Sequence, residues 1–441
     1  MDNLLIKGGN RLNGTVRVKG AKNAVGKLLI ATLLTDEEVV LTNVPRNSET
    51  EIAVELCAHL GSIVRHEGDI ITIRTPELTN VRVTEQSRRN RIPILAMGPL
   101  LARAGEGEVP LLGGDKIGAR PIDFHLAALE KLGATIEMRD STVVARAKQL
   151  YGAQIILPYP SVGATENTII ASVLAKGRTT ILNAATEPEI LDLIKMLQTM
   201  GAIVELGANR AIYIEGVEKL HGVRHRLLPD RLEVASFAVM ALATDGEIIV
   251  QDAVQEHLIT FLNTIRRLGG GYEVDPEDGI RFFRAGPLRA LNLETDTHPG
   301  FVTDWQQPTA VLLSQARGDS VIHETVFEDR FGYTEDLVRM GARIDLETRC
   351  LGTLPCRFQG KLYKHTAIVH GPTPLTGGRL EMRDIRAGMA HLIAALIADG
   401  ESTVTGIEHI DRGYENIDGR IRELGGDVRR VAIESPAPAG A

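Results

Sequence analysis

Apolar residues recur along the chain at helical spacing, stop at a glycine, and resume as an alternating strand, and they do so six times. The six passages are ELCAHLGSIVRH, LAALEKLGATIEM, IKMLQTMGAIVEL, LNTIRRLGGGYEV, DLVRMGARIDL and IRELGGDVRRV, with their glycines at Gly61, Gly133, Gly201, Gly269, Gly341 and Gly425. The successive separations are 72, 68, 68, 72 and 84 residues. A helix commonly ends at a glycine in the left-handed conformation, after which the chain reverses into a strand. Upstream in most copies a second, more uniformly apolar helix precedes a strand, as in LLIATLL then EEVVLTNV, or FAVMALA then GEIIVQDA. Period 3.6 alternating with period 2 over about 70 residues reads as a β-α-β-α-β-β repeat.

Six copies in 441 residues exceed one ordinary core, and three copies approach the upper size of a single domain. The pattern therefore predicts an α/β protein of two domains with three repeats each. The crossing falls in HGVRHRLLPDRLE, residues 221–233, with a second near residue 21 if the N-terminal strand packs into the later domain. The expected domains are 22–228 and 1–21 plus 229–441. The tail SPAPAGA reads as disordered.

A net charge of −8 argues against a nucleic-acid binder held by general electrostatics, so any anionic ligand needs local arginines and lysines. Aromatics are 4% of the chain, so the cores must be aliphatic. No stretch reaches the 18 or so uninterrupted apolar residues of a membrane span, and the N-terminus lacks a signal-peptide pattern. The three cysteines, Cys57, Cys350 and Cys356, do not build a disulfide framework, and two nearby cysteines do not by themselves make a four-ligand zinc site. Cys57 reads as a small core residue. A cytoplasmic protein is expected.

Polar loops introduce the repeats. LLGGDKIGARPIDFHL, residues 111–126, places Asp115, Lys116 and Arg120 among Gly113, Gly114 and Gly118; alone it reads as a solvated turn. KGAKN sets Lys19, Lys22 and Asn23 at a helix start, where backbone N–H groups suit an anion. EQSRRNR carries Arg88, Arg89 and Arg91 before an apolar helix, and Arg91 is the candidate singled out. PSVGATEN offers Ser161, Val162 and Gly163 at another helix start. Later loops offer Asp304 in TDWQQP, for which a helix cap is the ordinary reading, then Arg330, Asp384 with Arg386, and Asp411 with Arg412. Single exposed Asp–Arg pairs contribute little. Their recurrence at successive repeat boundaries points to arginines converging on an anion.

Together KGAKN, GGDKIGARPIDFHL, PSVGATEN, TDWQQP, FEDRF and HIDRGYE, in this order over essentially the whole chain, resemble the enolpyruvyl transferases, and within them the branch acting on a nucleotide sugar. The resemblance implies a two-domain inside-out α/β barrel, helices inside and sheets outside, with the active site in the interdomain cleft. It implies an enzyme of peptidoglycan synthesis whose small-molecule partners are phosphoenolpyruvate and UDP-N-acetylglucosamine, with no cofactor, nucleic acid, membrane or obligate protein partner. No metal is required, since arginines neutralise the anion. By the same resemblance Asp115 is the proton donor, Asp304 the base and Lys22 a catalytic cation. Phosphoenolpyruvate would meet Lys22, Asn23, Arg120, Arg330, Arg386 and Arg412. The nucleotide sugar would meet Asn23, Arg91, Arg120, Pro121, Ile122, Asp123, Phe124, Ser161, Val162, Gly163, Asp304 and Val326.

Three departures stand out. Most members have cysteine where this chain has Asp115, which implies resistance to the epoxide fosfomycin that alkylates that cysteine. Tyr159-Pro160 replaces a segment that often carries a lysine, and Asn47-Ser48-Glu49 replaces a basic-acidic pattern. They keep open a relative acting on another nucleoside or on 3-phosphoshikimate. A catalytically silent nucleotide-sugar-binding repeat protein is the alternative from another class.

Overall fold

The computed structural model describes residues 2–83, 91–111, 121–139 and 141–432. Arg88, Arg89, Asp115, Arg120 and the glycines of the 111–126 loop lie outside the described residues. Contacts divide the chain into two compact units, residues 19–230 and residues 2–18 with 231–432.

All six repeat glycines have positive φ, from 96° at Gly425 to 117° at Gly61. This left-handed conformation is strained for a residue with a Cβ, and it ends each amphipathic helix and turns the chain into the next strand. After Ile259–Leu268, for example, Gly269 at φ 100° opens the strand Gly270–Asp275.

The other helix of each repeat is rich in apolar residues and mostly buried, as suits an interior helix. In the later unit Arg231–Ala243 and Gln306–Ser314 are buried throughout, and Ile385–Ile397 along all but its last residue. These three pack on one another as the centre of the unit. In the earlier unit Lys22–Ala31, Met97–Ala104 and Val162–Ser172 occupy the corresponding positions around a second core. Leucine, isoleucine, valine and alanine dominate both.

Each unit carries three sheets around its helices. Five of the six described sheets share one plan: a strand joined in parallel to its neighbour, followed by two antiparallel strands. The exception has three strands, Glu106–Pro110, Thr142–Arg146 and Thr135–Arg139, with its parallel edge reduced to a single bridge between Arg82 and Glu108.

Neither unit is closed in chain order. The sheet of the last repeat takes Asp2–Lys7 between Glu401–Thr405 and Asp427–Ala432. In the earlier unit Arg224–Arg226 returns to pair in parallel with Val39–Thr42. The last repeat interval exceeds the others because residues 348–365 separate the antiparallel strands Arg343–Glu347 and Thr366–Gly371.

Candidate active site

In the later unit the polar loops meet at Asp304. This residue lies in the turn Thr303–Trp305, immediately before the buried helix Gln306–Ser314. It is not the cap that its position suggests, since the helix has no side-chain cap. Its carboxylate turns to two guanidiniums instead. Arg330 donates to Oδ1 at 2.5 Å and Arg386 donates to Oδ2 at 3.1 Å. Both arginines are 3% exposed at the side chain and Asp304 is 24% exposed, so the carboxylate is the member of the trio open to a ligand.

Each arginine is held from behind. Arg386 also donates to the Tyr414 hydroxyl at 2.7 Å, and that oxygen lies 3.0 Å from Ser236 Oγ. With its amide oriented by the surrounding donors and acceptors, Gln307 accepts from Arg330 Nε at 2.6 Å. Glu324, wholly buried, is raised above the usual carboxylate range by burial, opposed by the nearby Arg330 charge. It accepts from Thr303 at 2.9 Å and from the Val326 and Phe327 amides at 2.9 and 3.1 Å, tying the predicted sugar contact Val326 to the Asp304 turn.

The suggested aspartate–arginine pairs sort differently. Asp384 caps the helix Ile385–Ile397, accepting from the Arg386 and Ala387 amides, and so fixes where Arg386 begins. Asp411 forms a two-bond pair with Arg430, at 2.8 and 2.9 Å. Arg412 ends the turn Glu408–Asp411, two residues before Tyr414.

In the earlier unit Lys22 opens the helix Lys22–Ala31. Its backbone N–H donates to Asp230 Oδ2 at 3.1 Å, so a protein carboxylate takes up one of the amides that suited an external anion. The Lys22 ammonium lies 3.6 Å from Glu49. This explains the Asn47-Ser48-Glu49 departure: Asn47 caps the helix Ser48–His59 through the Thr50 amide, and Glu49 in its first turn reaches Lys22. Asn23 follows in the first turn, partly exposed, its carbonyl accepting from Lys27 Nζ.

The structure also gathers the predicted nucleotide contacts. Arg91 reaches the Pro121 carbonyl at 3.5 Å, and Ile122, Asp123 and Phe124 lead into the helix Asp123–Lys131. Ser161 caps Val162–Ser172 through the Ala164 amide at 3.4 Å. His125 links the two segments: a Cβ on Gly163 would lie 3.1 Å from its ring, and Asn167 donates to its Nδ1 at 3.3 Å. Burial, with help from the Arg91 charge, pushes His125 down to about 3, so the ring is neutral. Sequence reasoning passed over His125, although its place directly after PIDF was a signal.

Metal-ligating residues need a correction. Counting cysteines excluded a four-donor set, but Cys350 and Cys356 are joined by His323 and His365, whose donor atoms all lie within 4.8 Å of one another. The histidines come from strand ends that sequence spacing does not bring together. Cys57 is wholly buried, its thiol pushed up to about 12 by burial, as a core residue should be.

The same fold occurs in solved structures. The enolpyruvyl transferase NikO from Streptomyces tendae superposes with a TM-score of 0.86 over 98% of this chain and 99% of its own, at 23% identity. EPSP synthase from Acinetobacter baumannii gives 0.76 over 98% and 100%, at 18% identity. The chain is thus a two-unit α/β protein of the enolpyruvyl transferase fold. Residues 6–421 match the model of EPSP synthase (3-phosphoshikimate 1-carboxyvinyltransferase), and the chain belongs to that family. Within it, proteins named UDP-N-acetylglucosamine 1-carboxyvinyltransferase are far more similar in sequence. That of Protochlamydia amoebophila is 48% identical over 98% of this chain and 95% of its own, and that of Chlamydia abortus 49% over 98% of both. A relative from Carboxydothermus hydrogenoformans named UDP-N-acetylglucosamine 1-carboxyvinyltransferase 2 is 42% identical over 98% and 100%.

Proposed function

We propose that this chain transfers the enolpyruvyl group of phosphoenolpyruvate to the 3′-hydroxyl of UDP-N-acetylglucosamine, releasing phosphate, in the first committed step of peptidoglycan synthesis. One observation carries the reading: relatives 48–49% identical over nearly the whole chain share the name of that activity. The Asp304 geometry supports it. The 3′-oxygen adds to C2 of phosphoenolpyruvate as its proton leaves and C3 gains one. The tetrahedral ketal then loses the C3 proton and phosphate to give the enol ether.

Asp304 takes the hydroxyl proton. In the free protein Arg330 and Arg386 hold its two oxygens. The carboxylate and phosphate of phosphoenolpyruvate compete for those same guanidiniums, so substrate binding releases Asp304 as a base while the arginines take up the anion. Arg412, Lys22 and Arg120 supply the remaining positive charge, and Asp115 the proton for C3. Arg91, Pro121 to Phe124 and Ser161 to Gly163 hold the nucleotide, with Asn23 and Val326 at the sugar. The site lies in the cytoplasm and needs no cofactor; among the described residues no helix is long and apolar enough to cross a membrane.

Phosphate release from phosphoenolpyruvate, measured with UDP-N-acetylglucosamine and separately with 3-phosphoshikimate, tests the reading. Release with the nucleotide sugar alone is expected. Release only with the other acceptor reassigns the chain within its family. No release at high enzyme concentration, with the nucleotide sugar still bound, makes it a silent binder.

A further inference from the structure

The segment 348–365 is longer than any other hairpin connection described in the molecule, and it has little apolar material with which to hold a shape. Leu362 is 93% exposed, and Leu351, Leu354 and Tyr363 are also on the surface. Such a segment needs another source of order. Its two cysteines and its final residue, His365, fold back on His323, the last residue of the strand Gly318–His323.

We infer that His323 Nε2, Cys350 Sγ, Cys356 Sγ and His365 Nε2 form a structural zinc site. Three independent observations meet here. The first is donor geometry. Zn–S of about 2.3 Å and Zn–N of about 2.0 Å give tetrahedral donor–donor edges of about 3.6 Å. The sulfur of Cys350 lies 3.3 Å from His365 Nε2, and all four donors lie within 4.8 Å of one another, so a small contraction closes the set.

The second is a buried atom without a partner. His323 is fully buried, and its Nε2 has no hydrogen-bond partner among the described residues. Leaving such an atom unsatisfied costs about 1–3 kcal/mol, and a metal ion removes that cost.

The third is the outer layer. Both rings have Nδ1 occupied, which leaves Nε2 for the cluster. His323 Nδ1 lies 3.2 Å from Glu294 Oε2, and His365 Nδ1 lies 2.7 Å from the Tyr363 carbonyl. A carboxylate or carbonyl accepting from one ring nitrogen fixes the tautomer that leaves the other free to bind metal. Glu294 also accepts from the Thr353 and Leu354 amides at 2.8 Å each, and a Cβ on Gly352 would collide with Glu294 and His323. The Phe358 amide points at Cys356 Sγ at 3.4 Å, and the Phe358 ring packs edge-on against His365 at 5.7 Å.

Two thiolates with two imidazoles suit zinc rather than magnesium or calcium, and four protein donors leave no open position for substrate. The role is therefore to hold the segment. Arg357, between Cys356 and Phe358, donates to the Val326 carbonyl, so the metal-bound segment braces the stretch that runs on to Arg330. Zinc binding releases the two thiol protons, and affinity falls as pH falls.

The test uses the full chain, purified without chelator and reconstituted with zinc chloride under reducing conditions. Elemental analysis is expected to find close to one zinc per chain, with Cys350 and Cys356 protected from thiol reagents until a chelator is added. Cobalt(II) in place of zinc should give the intense visible bands and thiolate charge transfer of a tetrahedral S2N2 centre. The C350S/C356S variant should lose the metal, and Cys57→Ser should keep it. Absence of stoichiometric metal after reconstitution overturns the inference, as does unchanged metal content in the double variant. Should that variant fail to fold, the wild-type metal ratio and the cobalt spectrum decide the matter.

Discussion

Asp304 combines two properties that seldom occur together: it is paired to two buried guanidiniums and is itself partly exposed. Asp304→Asn keeps the volume and some of the hydrogen bonding but cannot accept the 3′-hydroxyl proton. Turnover is expected to fall by about 10²–10⁴, the usual worth of a positioned base, while nucleotide-sugar affinity changes little. Single-turnover phosphate release with parallel calorimetry checks this, and full turnover in the variant removes Asp304 from the base role. Buried titratable groups make a second prediction at this scale. Burial pushes His125 down to about 3 and His391 down to about 4, below the unfolded value near 6.5. Between those limits only the unfolded state holds the proton, so each histidine contributes stability that is complete above about pH 6.5 and is lost as pH falls. The slope is about 1.4 kcal/mol per pH unit for each. Glu166 has the opposite sign. Burial, opposed by Lys27 at 3.7 Å, raises it to about 7, so from its unfolded value to there the native state holds the extra proton and gains stability as pH falls. Glu166→Gln removes that gain, so from about pH 6 to about pH 5 the variant should lose about 1.4 kcal/mol more stability than the wild type. Denaturant unfolding at the two pH values reads the difference, and identical slopes would refute the assignment of Glu166.

At the level of elements, capping decides where chemistry-bearing side chains sit. Asn47 Oδ1 accepts from the Thr50 amide at 3.0 Å and its hydroxyl at 3.1 Å, which starts the helix Ser48–His59 and sets Glu49 against Lys22. Asn47→Ala should cost about 1 kcal/mol, with Asn47→Ser recovering most of it, as measured by urea midpoints. An unchanged midpoint in the alanine variant would show that the cap is dispensable. These elements explain what the sequence made legible. Helix, glycine and strand follow from short-range rules, and all six glycines named from the pattern take positive φ. The long apolar runs, such as FAVMALA and AVLLS, became interior helices because they offer no continuous polar face to water. Its position before an apolar helix makes Asp304 look like a cap, because local sequence cannot show that arginines 26 and 82 residues away claim its oxygens. The cysteine–histidine cluster was missed for the same reason, as His323 arrives on a neighbouring strand rather than in a short ligand motif. Asp115 and Arg120 lie outside the described residues, and their roles rest on the motif alone.

Considered as a whole molecule, six similar repeats are joined so that the chain's beginning completes its last repeat. Asp2–Lys7 is an inner strand, running from Asp2 opposite Ala432 to Lys7 opposite Asp427 on one side and along Glu401–Thr405 on the other. Leu4 and Ile6 are fully buried in the core of that unit. Burying two such side chains contributes about 3–6 kcal/mol, and removing the strand also strips hydrogen-bond partners from both neighbours. That is a large share of the roughly 5–15 kcal/mol that holds a domain together. Deleting residues 2–7 should therefore unfold the unit formed by 231–432, although the deletion is far from those residues in sequence. The unit of residues 19–230 closes its own first sheet with Arg224–Arg226 and, among the described residues, takes no strand from the N-terminus. Limited proteolysis of the truncated chain should leave a resistant fragment near residues 19–230 while the later part is digested, and the thermal transition should lose its second component. An unchanged melting profile and unchanged protease resistance would show that the last repeat closes without its first strand. The comparison also separates topology from local stability: Leu4→Ala in the full chain keeps the strand and should cost only about 2–5 kcal/mol, leaving both units folded at room temperature.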